Sequence, residues 1–228
     1  MFIRKISIII IALILLAGGL MLLRSFGMLK LVKNTNSQEE LIEAISPEIP
    51  VNTDFEKYLI VSDKEEINSV NTKEQLVAVF NYMKKDYQAV SVDHQVQNLS
   101  DFDCIFLTLE RLDFLTNLSG YIDYVNRGGD LVFLIRPVVD KSFESISSLL
   151  GIEKYEKNVI TTKGIKVLSD VIMGANGFEY GTEDIINSSL DLELMSDDEP
   201  LLKSYTDVPL LWERNYGKGC FIVLNAFP

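Results

Sequence analysis

The sequence has little of the chemistry from which most active sites are built. It holds one histidine, two cysteines and one tryptophan in 228 residues. The lone histidine, His94, has no neighbouring cysteine, which excludes an ordinary zinc site. No phosphate loop, dinucleotide-binding glycine motif or G-x-S-x-G hydrolase elbow is present. We therefore predict no catalytic residue, no metal ligand and no cofactor.

Positive charge is scarce outside the N-terminal segment. Five of the 21 basic residues lie in residues 1–33, which leaves 16 basic against 33 acidic residues and a net charge of −17. Such a surface repels nucleic acid and anionic lipid, so both are excluded as partners of this part. An acidic surface of this kind suits a cationic ligand or a basic partner, although a merely solvated surface is the simpler interpretation.

The first 33 residues have the pattern of a membrane anchor. Arg4 and Lys5 precede an apolar run from Ile6 to Leu23, three basic residues follow the run, and no acidic residue interrupts it. About 20 apolar residues span a hydrocarbon core as a helix. A cleaved signal peptide is the alternative, but the run lacks an A-x-A cleavage site. With the short head in the cytoplasm, we expect the globular part to lie outside the cell membrane; the opposite orientation remains the alternative.

The rest of the chain divides into a linker and one domain. Residues 34–56 are polar and acidic with two prolines, which is typical of a spacer. Residues 57–228 are predicted to form a single domain. Its two cysteines, Cys104 and Cys220, lie within apolar runs, so buried thiols are expected rather than a disulfide.

Strand and helix patterns alternate through the first half of this domain. Continuously apolar runs predict strands at KYLIVSD, YQAVSVD, DCIFLTL and DLVFLIR. Helical spacing is found in Thr72–Lys85 and in FLTNLSGYIDYVNRGG, where Gly128 is a natural C-terminal cap. The pattern predicts an α/β fold with a doubly wound, mostly parallel sheet.

Shorter strand patterns follow residue 152 and predict antiparallel additions to the sheet. The last of them is a hairpin turning at Gly217-Lys218-Gly219. The sequence stops at Pro228, directly after an apolar strand, which would leave a sheet edge uncovered and indicates a truncated C-terminus.

Polar residues follow three of the predicted parallel strands. Asp63 follows the first, Glu110 and Arg111 the third, and Arg136 the fourth. Ligands of open α/β sheets bind outside these carboxyl ends. We therefore predict a ligand site at Asp63, Glu110, Arg111 and Arg136, suited to hydroxyl-rich sugars or amino sugars. The alternative is that Arg136 pairs with Asp63 or Glu110 for structural reasons alone.

Two stretches resemble the class I glutamine amidotransferase-like fold. They are GYIDYVNRGGDLVFLI, a helix ending in Gly-Gly before an apolar strand, and WERNYGKGCFIVLNAF, a hairpin. The resemblance covers about residues 57–228. It implies a cysteine nucleophile just after a core strand and a later histidine, but Arg136-Pro137 occupies that position and no histidine follows His94. The resemblance therefore implies a fold without its hydrolytic site.

The overall pattern is also similar to a bacterial family of membrane-anchored proteins. Its longer members continue into a polysaccharide-deacetylase-like domain, and its genes lie in exopolysaccharide clusters. The resemblance implies a non-catalytic, membrane-tethered domain that binds or positions an exopolysaccharide component or its assembly proteins. One alternative is the accessory part of a truncated deacetylase-like enzyme, whose catalytic residues would lie beyond Pro228. Another is a cytoplasm-facing interaction module.

Overall fold

The computed structural model describes residues 56–94, 96–134, 136–169, 177, 179–180 and 186–226. The predicted anchor at 1–33 and nearly all of the linker at 34–56 lie outside these ranges. Within the described residues, no helix combines the length and apolar character needed to span a membrane.

The described residues form eleven strands, three α-helices and two short 3-10 turns. The strands are β1 (Lys57–Ser62), β2 (Asp86–Ser91), β3 (Cys104–Leu107), β4 (Asp130–Phe133), β5 (Ile152–Lys163), β6 (Ile165–Val167), β7 (Glu179–Tyr180), β8 (Ile186–Leu194), β9 (Pro200–Lys203), β10 (Pro209–Tyr216) and β11 (Gly219–Leu224). The helices are α1 (Ile67–Tyr82), α2 (Leu118–Arg127) and α3 (Lys141–Ile146), and the 3-10 turns are Leu99–Asp101 and Leu112–Phe114.

Local sequence signals set the ends of α2. The Asn117 side chain accepts a hydrogen bond from the Gly120 N–H and so caps the first turn. As predicted, Gly128 ends the helix; its φ of +122° is a backbone conformation that residues other than glycine rarely adopt. Helix α1 begins five residues before the predicted Thr72. Its first turn has no apolar stripe to mark it in the sequence, and its buried residue is Ser69, which hydrogen-bonds with Asp63 and Thr108.

Nine strands form one sheet in the order β2-β1-β3-β4-β11-β10-β9-β6-β7. The pairs from β2 to β11 are parallel, and those from β11 to β7 are antiparallel. Strands β5 and β8 pair separately as an antiparallel ribbon. The prediction of a parallel α/β sheet with antiparallel additions is confirmed.

Alternate residues of the parallel strands enter two different cores. Leu59 and Ile105, which are register partners, face a core shared with α2, α3 and the β5–β8 ribbon. Their neighbours Ile60 and Phe106 face a second core shared with α1. Because both faces of these strands are covered, their sequences are apolar throughout rather than alternating.

The two cysteines lie on either side of β4. Cys104 and Cys220 are both register partners of Asp130, and both are fully buried. Two strand spacings separate them by about 9–10 Å, which is too far for a disulfide. The prediction of buried thiols is confirmed.

The predicted hairpin is present. Tyr216 pairs with Gly219, so Gly217 and Lys218 form a two-residue turn between β10 and β11. Strand β11 lies between β4 and β10. The expectation that this last strand would leave a sheet edge uncovered is therefore wrong.

The two glycine-containing stretches meet in space. Gly219 packs against the backbone at the end of α2, and a Cβ added there would lie 2.6 Å from the Val125 carbonyl oxygen and closer still to that of Gly129. The Lys218 N–H donates to the Asn126 carbonyl at 3.1 Å. These glycines therefore allow the β10–β11 turn to dock on the end of α2.

Candidate functional site

The strand order reverses between β1 and β3. From β1 the chain passes through α1 to β2 on one side, whereas β3, β4 and β11 follow on the other. Doubly wound sheets bind ligands outside the carboxyl ends of their strands at such a switch point. We refer to the segments 62–69, 108–114 and 136–138, which follow β1, β3 and β4, as the switch-point edge.

All four residues predicted for ligand binding lie on this edge. Asp63 follows β1, Glu110 and Arg111 follow β3, and Arg136 follows β4. Glu66, in the β1–α1 loop, lies within electrostatic range of the first three. Arg136 in turn lies within range of Glu110. The structure thus gathers the predicted residues into one cluster.

Two buried hydroxyl groups fasten α1 to the ends of β1 and β3. The Asp63 N–H donates to Ser69 Oγ at 2.7 Å, and Ser69 Oγ lies 3.1 Å from Thr108 Oγ1. The Thr108 hydroxyl donates to the Val61 carbonyl at 3.2 Å. Because a hydroxyl has only one hydrogen, Ser69 must donate to Thr108. Both hydrogens are used within the protein, so these groups hold the edge in place rather than bind a ligand.

Glu66 and Glu110 are held by hydrogen bonds from neighbouring backbone and side chains. The Glu110 N–H donates to Glu66 Oε2 at 3.3 Å, and Asn68 Nδ2 donates to Glu110 Oε1 at 3.1 Å. The pKa of Glu66 is raised, chiefly because burial disfavours the charged form. The Glu110 N–H opposes this rise, and the Asp63 and Glu110 carboxylates add to it.

Asp63 and Arg136 both have polar atoms that are not satisfied by described residues. Asp63 is 8 % exposed; its Oδ1 accepts from the Glu65 N–H at 2.8 Å, whereas its Oδ2 accepts no hydrogen bond from the described part of the chain. The Arg136 Nε is buried without a hydrogen-bond partner there. Burial also lowers the pKa of Arg136, and the Glu110 carboxylate opposes this effect.

The charged groups of the edge do not neutralise one another by direct contact. Among the described residues, none of Asp63, Glu66, Glu110, Arg111 and Arg136 forms an ion pair within 4.0 Å, although six such pairs occur elsewhere. The alternative in which Arg136 pairs with Asp63 or Glu110 for structure is therefore not realised.

The loop after β3 is fixed at both ends and presents an aromatic ring. The Val138 N–H donates to the Glu110 carbonyl at 2.7 Å. Farther along, the Asp113 N–H donates to Asp140 at 2.9 Å, and the Asp113 carboxylate accepts from the Ser142 N–H at 3.0 Å. Hydrogen bonds from Ser142 lower the pKa of Asp113. Directly after Asp113, Phe114 remains 39 % exposed, with the Arg111 guanidinium 4.9 Å from its ring centre.

A family model described as "Uncharacterised protein conserved in bacteria (DUF2194)" matches residues 8–196. This range is most of the chain and includes the whole switch-point edge. The chain belongs to this bacterial family. No curated protein matches it.

Solved structures similar to this DUF2194 member show its fold. A ThuA-like protein from Bacteroides uniformis has a TM-score of 0.56 at 15% identity, over 75% of this chain and 81% of its own. A second ThuA-like protein, from Parabacteroides merdae, has a TM-score of 0.56 at 12% identity, over 75% and 78%. The domain thus has the ThuA-like fold, which is of the glutamine amidotransferase-like class.

A larger protein shares the same fold in part. The β-galactosidase from Bacillus circulans sp. alkalophilus has a TM-score of 0.53 at 14% identity, over 75% of this chain. The DUF2194 chain spans only 28% of that enzyme.

The nucleophile candidates of this DUF2194 member lie away from the switch-point edge. Cys104 is the first residue of β3, and Cys220 is near the start of β11, so both are at the opposite, amino ends of the parallel strands. His94 is exposed in a turn after β2. Within the described ranges, no group of three or more histidine, cysteine or acidic side chains is arranged to hold a metal ion.

Sequence reasoning missed the residues that support the predicted site. Glu66 and Asn68 lie three and five residues after Asp63, and the start of α1 returns them to the end of β3. Their polar character at a strand-to-helix junction was the available signal. Ser69 and Thr108 offered none, because a serine in a helix and a threonine after an apolar strand are ordinary features of a sequence.

Proposed function

We propose that this protein is a non-catalytic binding domain, tethered to the cell membrane by residues 1–33. It binds or positions an exopolysaccharide component, or the proteins that assemble it, through the switch-point edge. The domain itself lies outside the cytoplasm.

The observation that carries this proposal is the set of unneutralised charges on the edge. Three carboxylates and two guanidinium groups are gathered there without an ion pair among the described residues. Leaving a buried donor or acceptor unsatisfied costs about 1–3 kcal/mol. Arg136 Nε is such a group, and a ligand rich in hydroxyls can accept a hydrogen bond from this guanidinium and donate one to the nearby carboxylates. The free energy recovered when such a group gains a partner supports a role of the edge in binding.

The positions of the thiols support a non-catalytic role. In the amidotransferase pattern the nucleophile stands directly after a core strand, where this chain has Arg136-Pro137. Cys104 and Cys220 are fully buried at the opposite ends of their strands. A nucleophile needs a base within hydrogen-bond reach and access to substrate, and neither thiol is exposed.

The membrane and carbohydrate parts of the proposal rest on other observations. The basic and apolar pattern of residues 1–33 supports tethering. The occurrence of the fold within a β-galactosidase supports a carbohydrate context. Protease treatment of intact cells tests the orientation: the domain should be digested without lysis, and protection until lysis would place it in the cytoplasm.

Binding is tested by calorimetric titration of the purified full chain with exopolysaccharide oligomers. Arg136→Gln removes the guanidinium that lacks an acceptor, and a lost charge-assisted hydrogen bond of about 1.5–3 kcal/mol should weaken binding about 10- to 100-fold. Lys154→Gln, at an exposed ion pair on β5, is the matched control and should bind normally. Absence of binding by the unaltered chain to any oligomer would contradict the proposal.

The small share of the β-galactosidase that this fold occupies favours an alternative function, as part of a longer enzyme. Because the chain spans only 28% of that enzyme, a domain of this fold can be one part of a longer carbohydrate-active protein. The alternative function is thus the accessory part of a deacetylase-like enzyme. Nucleotide sequence beyond codon 228 that encodes an Asp and a His-x-x-x-His motif would favour it.

A further inference from the structure

We infer that the glycan bound at the switch-point edge carries acetyl groups, and that one of them is recognised in a shallow depression beside the edge. The depression lies between the loop that follows β2 and the first turn of α2. The inference rests on the proposed function of the edge, and it adds the chemical group by which the protein selects one glycan over another.

The shallow depression adjoins the switch-point edge on two sides. Val92, in the wall that follows β2, donates its N–H to the Ser62 carbonyl at 2.8 Å, at the end of β1. On the other side, Phe114 is the last residue of segment 108–114 of the edge and directly precedes Leu115, which lines the depression. A chain of sugars bound along the edge can therefore reach the depression.

The Tyr121 hydroxyl is the group that points to a ligand. Tyr121 lines the depression and is only 6 % exposed, yet its hydroxyl forms no hydrogen bond with a described residue. A buried tyrosine hydroxyl normally has a hydrogen-bond partner. Burial raises the pKa of Tyr121 to about 12, so the hydroxyl keeps its proton at neutral pH and can donate it to an acceptor on a ligand.

The lining of the depression selects a neutral group. Its walls include the apolar side chains of Val92, Val96, Leu99 and Leu115. None of the described residues that line it carries a carboxylate, an ammonium or a guanidinium group. Because a charged group would lose its hydration there without gaining a partner, we expect an uncharged substituent. An acetyl group provides a methyl for the apolar walls and a carbonyl oxygen for the Tyr121 hydroxyl.

The size of the depression favours a small substituent over a whole sugar ring. Its enclosed part has room for one group of about the size of a water molecule or a methyl. The sugar ring itself has to remain at the rim, where the exposed side chains of Thr116 and Asn117 offer hydroxyl and amide groups. The depression thus recognises what the sugar carries rather than the ring.

The experiment titrates the full chain with three neutral tetrasaccharides that share a β-1,4-linked glucose backbone. The first carries N-acetyl groups at C2, the second N-formyl groups and the third hydroxyl groups. Because all three are uncharged, the acidic surface of the protein favours none of them. We expect the N-acetyl tetramer to bind about 4-fold more tightly than the N-formyl tetramer, as one buried methyl group implies. It should bind about 10-fold or more above the hydroxyl form, which lacks the carbonyl oxygen as well.

Two tyrosine variants assign the preference to the depression. Tyr121→Phe removes only the hydroxyl, so it should lower the affinity for the N-acetyl and N-formyl tetramers about 2- to 10-fold and leave that for the hydroxyl form unchanged. Since this hydroxyl has no partner among the described residues, the thermal midpoint should not fall. Tyr82→Phe, at the 88 % exposed last residue of α1, is the matched control and should change no affinity.

The contrary results separate this inference from the proposed function. Equal binding of the three tetramers, with Arg136→Gln weakening all of them, would overturn the inference and leave glycan binding at the edge standing. A folded Tyr121→Phe variant that retains the full preference would also overturn it. Binding of none of the three tetramers would overturn the inference, whereas the titration with exopolysaccharide oligomers decides the proposed function separately.

Discussion

Replacing Gly219 by alanine should destabilise the domain through steric conflict alone. This glycine does not have a positive φ, so alanine introduces no backbone strain of the left-handed kind. Its added methyl group would lie 2.6 Å from the Val125 carbonyl oxygen and closer to that of Gly129. Both obstacles are backbone atoms at the end of α2, so neither can move by rotating a side chain.

The expected magnitude follows from overpacking. Inserting a methyl group into a well-packed site costs about 1–3 kcal/mol, and sometimes more. For a domain of this size, each 1 kcal/mol lowers the thermal midpoint by about 2–4 °C. We therefore expect Gly219→Ala to lower the midpoint by about 2–12 °C, because the β10–β11 turn must move away from α2.

Thermal unfolding followed by circular dichroism is a suitable assay, with Lys218→Ala as the control. Lys218 is the exposed neighbour in the same turn, and its truncation leaves the backbone contact in place. The control should shift the midpoint by no more than about 1–2 °C, as expected of a surface change within about 0.5 kcal/mol. A Gly219→Ala midpoint equal to that of the control would refute the steric explanation.

Three further predictions concern other parts of the described structure. The fully buried amide of Asn225 hydrogen-bonds to both the N–H and the carbonyl of Leu190 in β8. Asn225→Ala should therefore lower the free energy of unfolding, measured by urea titration, by about 1–3 kcal/mol for each buried group left unsatisfied. Unchanged stability would contradict the role of Asn225 as a link to the ribbon. Glu66→Gln should stabilise the protein at neutral pH. The pKa of the Glu66 carboxyl is raised above 4.5 in the folded state, so the folded protein binds more protons than the unfolded one. Ionisation of Glu66 therefore lowers the stability as the pH rises from the unfolded pKa through the folded pKa. The gain should vanish below the unfolded pKa, and a gain that persists there would contradict the electrostatic cause. Cys104 and Cys220 should react with a thiol reagent only after unfolding, since both are fully buried, and rapid labelling of the native protein would contradict this.

The parallel half of the fold could be predicted because its signals are local and strong. Strands buried on both faces are continuously apolar, and Gly128 ends α2 as expected. The separate β5–β8 ribbon was not foreseen as such, because the outer part of β5 is polar and exposed and resembles a loop. A position such as Asn225, which joins the ribbon to β10, has meaning only once distant strands meet.

The ligand site was predictable in position but not in detail. Parallel strands place their carboxyl ends on one edge whatever their order, so Asp63, Glu110 and Arg136 could be named from sequence. Whether opposite charges contact one another depends on side-chain geometry that no pattern specifies. Their lack of ion pairs, and the part played by Glu66, emerged only from the structure.

The central claim is that a polar ligand binds at the switch-point edge. Hydrogen–deuterium exchange of the full chain, with and without a saturating exopolysaccharide oligomer, tests it most directly. The account predicts slower exchange in segments 62–69, 108–114 and 136–138, with no change at the β10–β11 turn. Slower exchange confined to that turn, or to the shallow depression lined by His94, Asn117 and Tyr121, would contradict it.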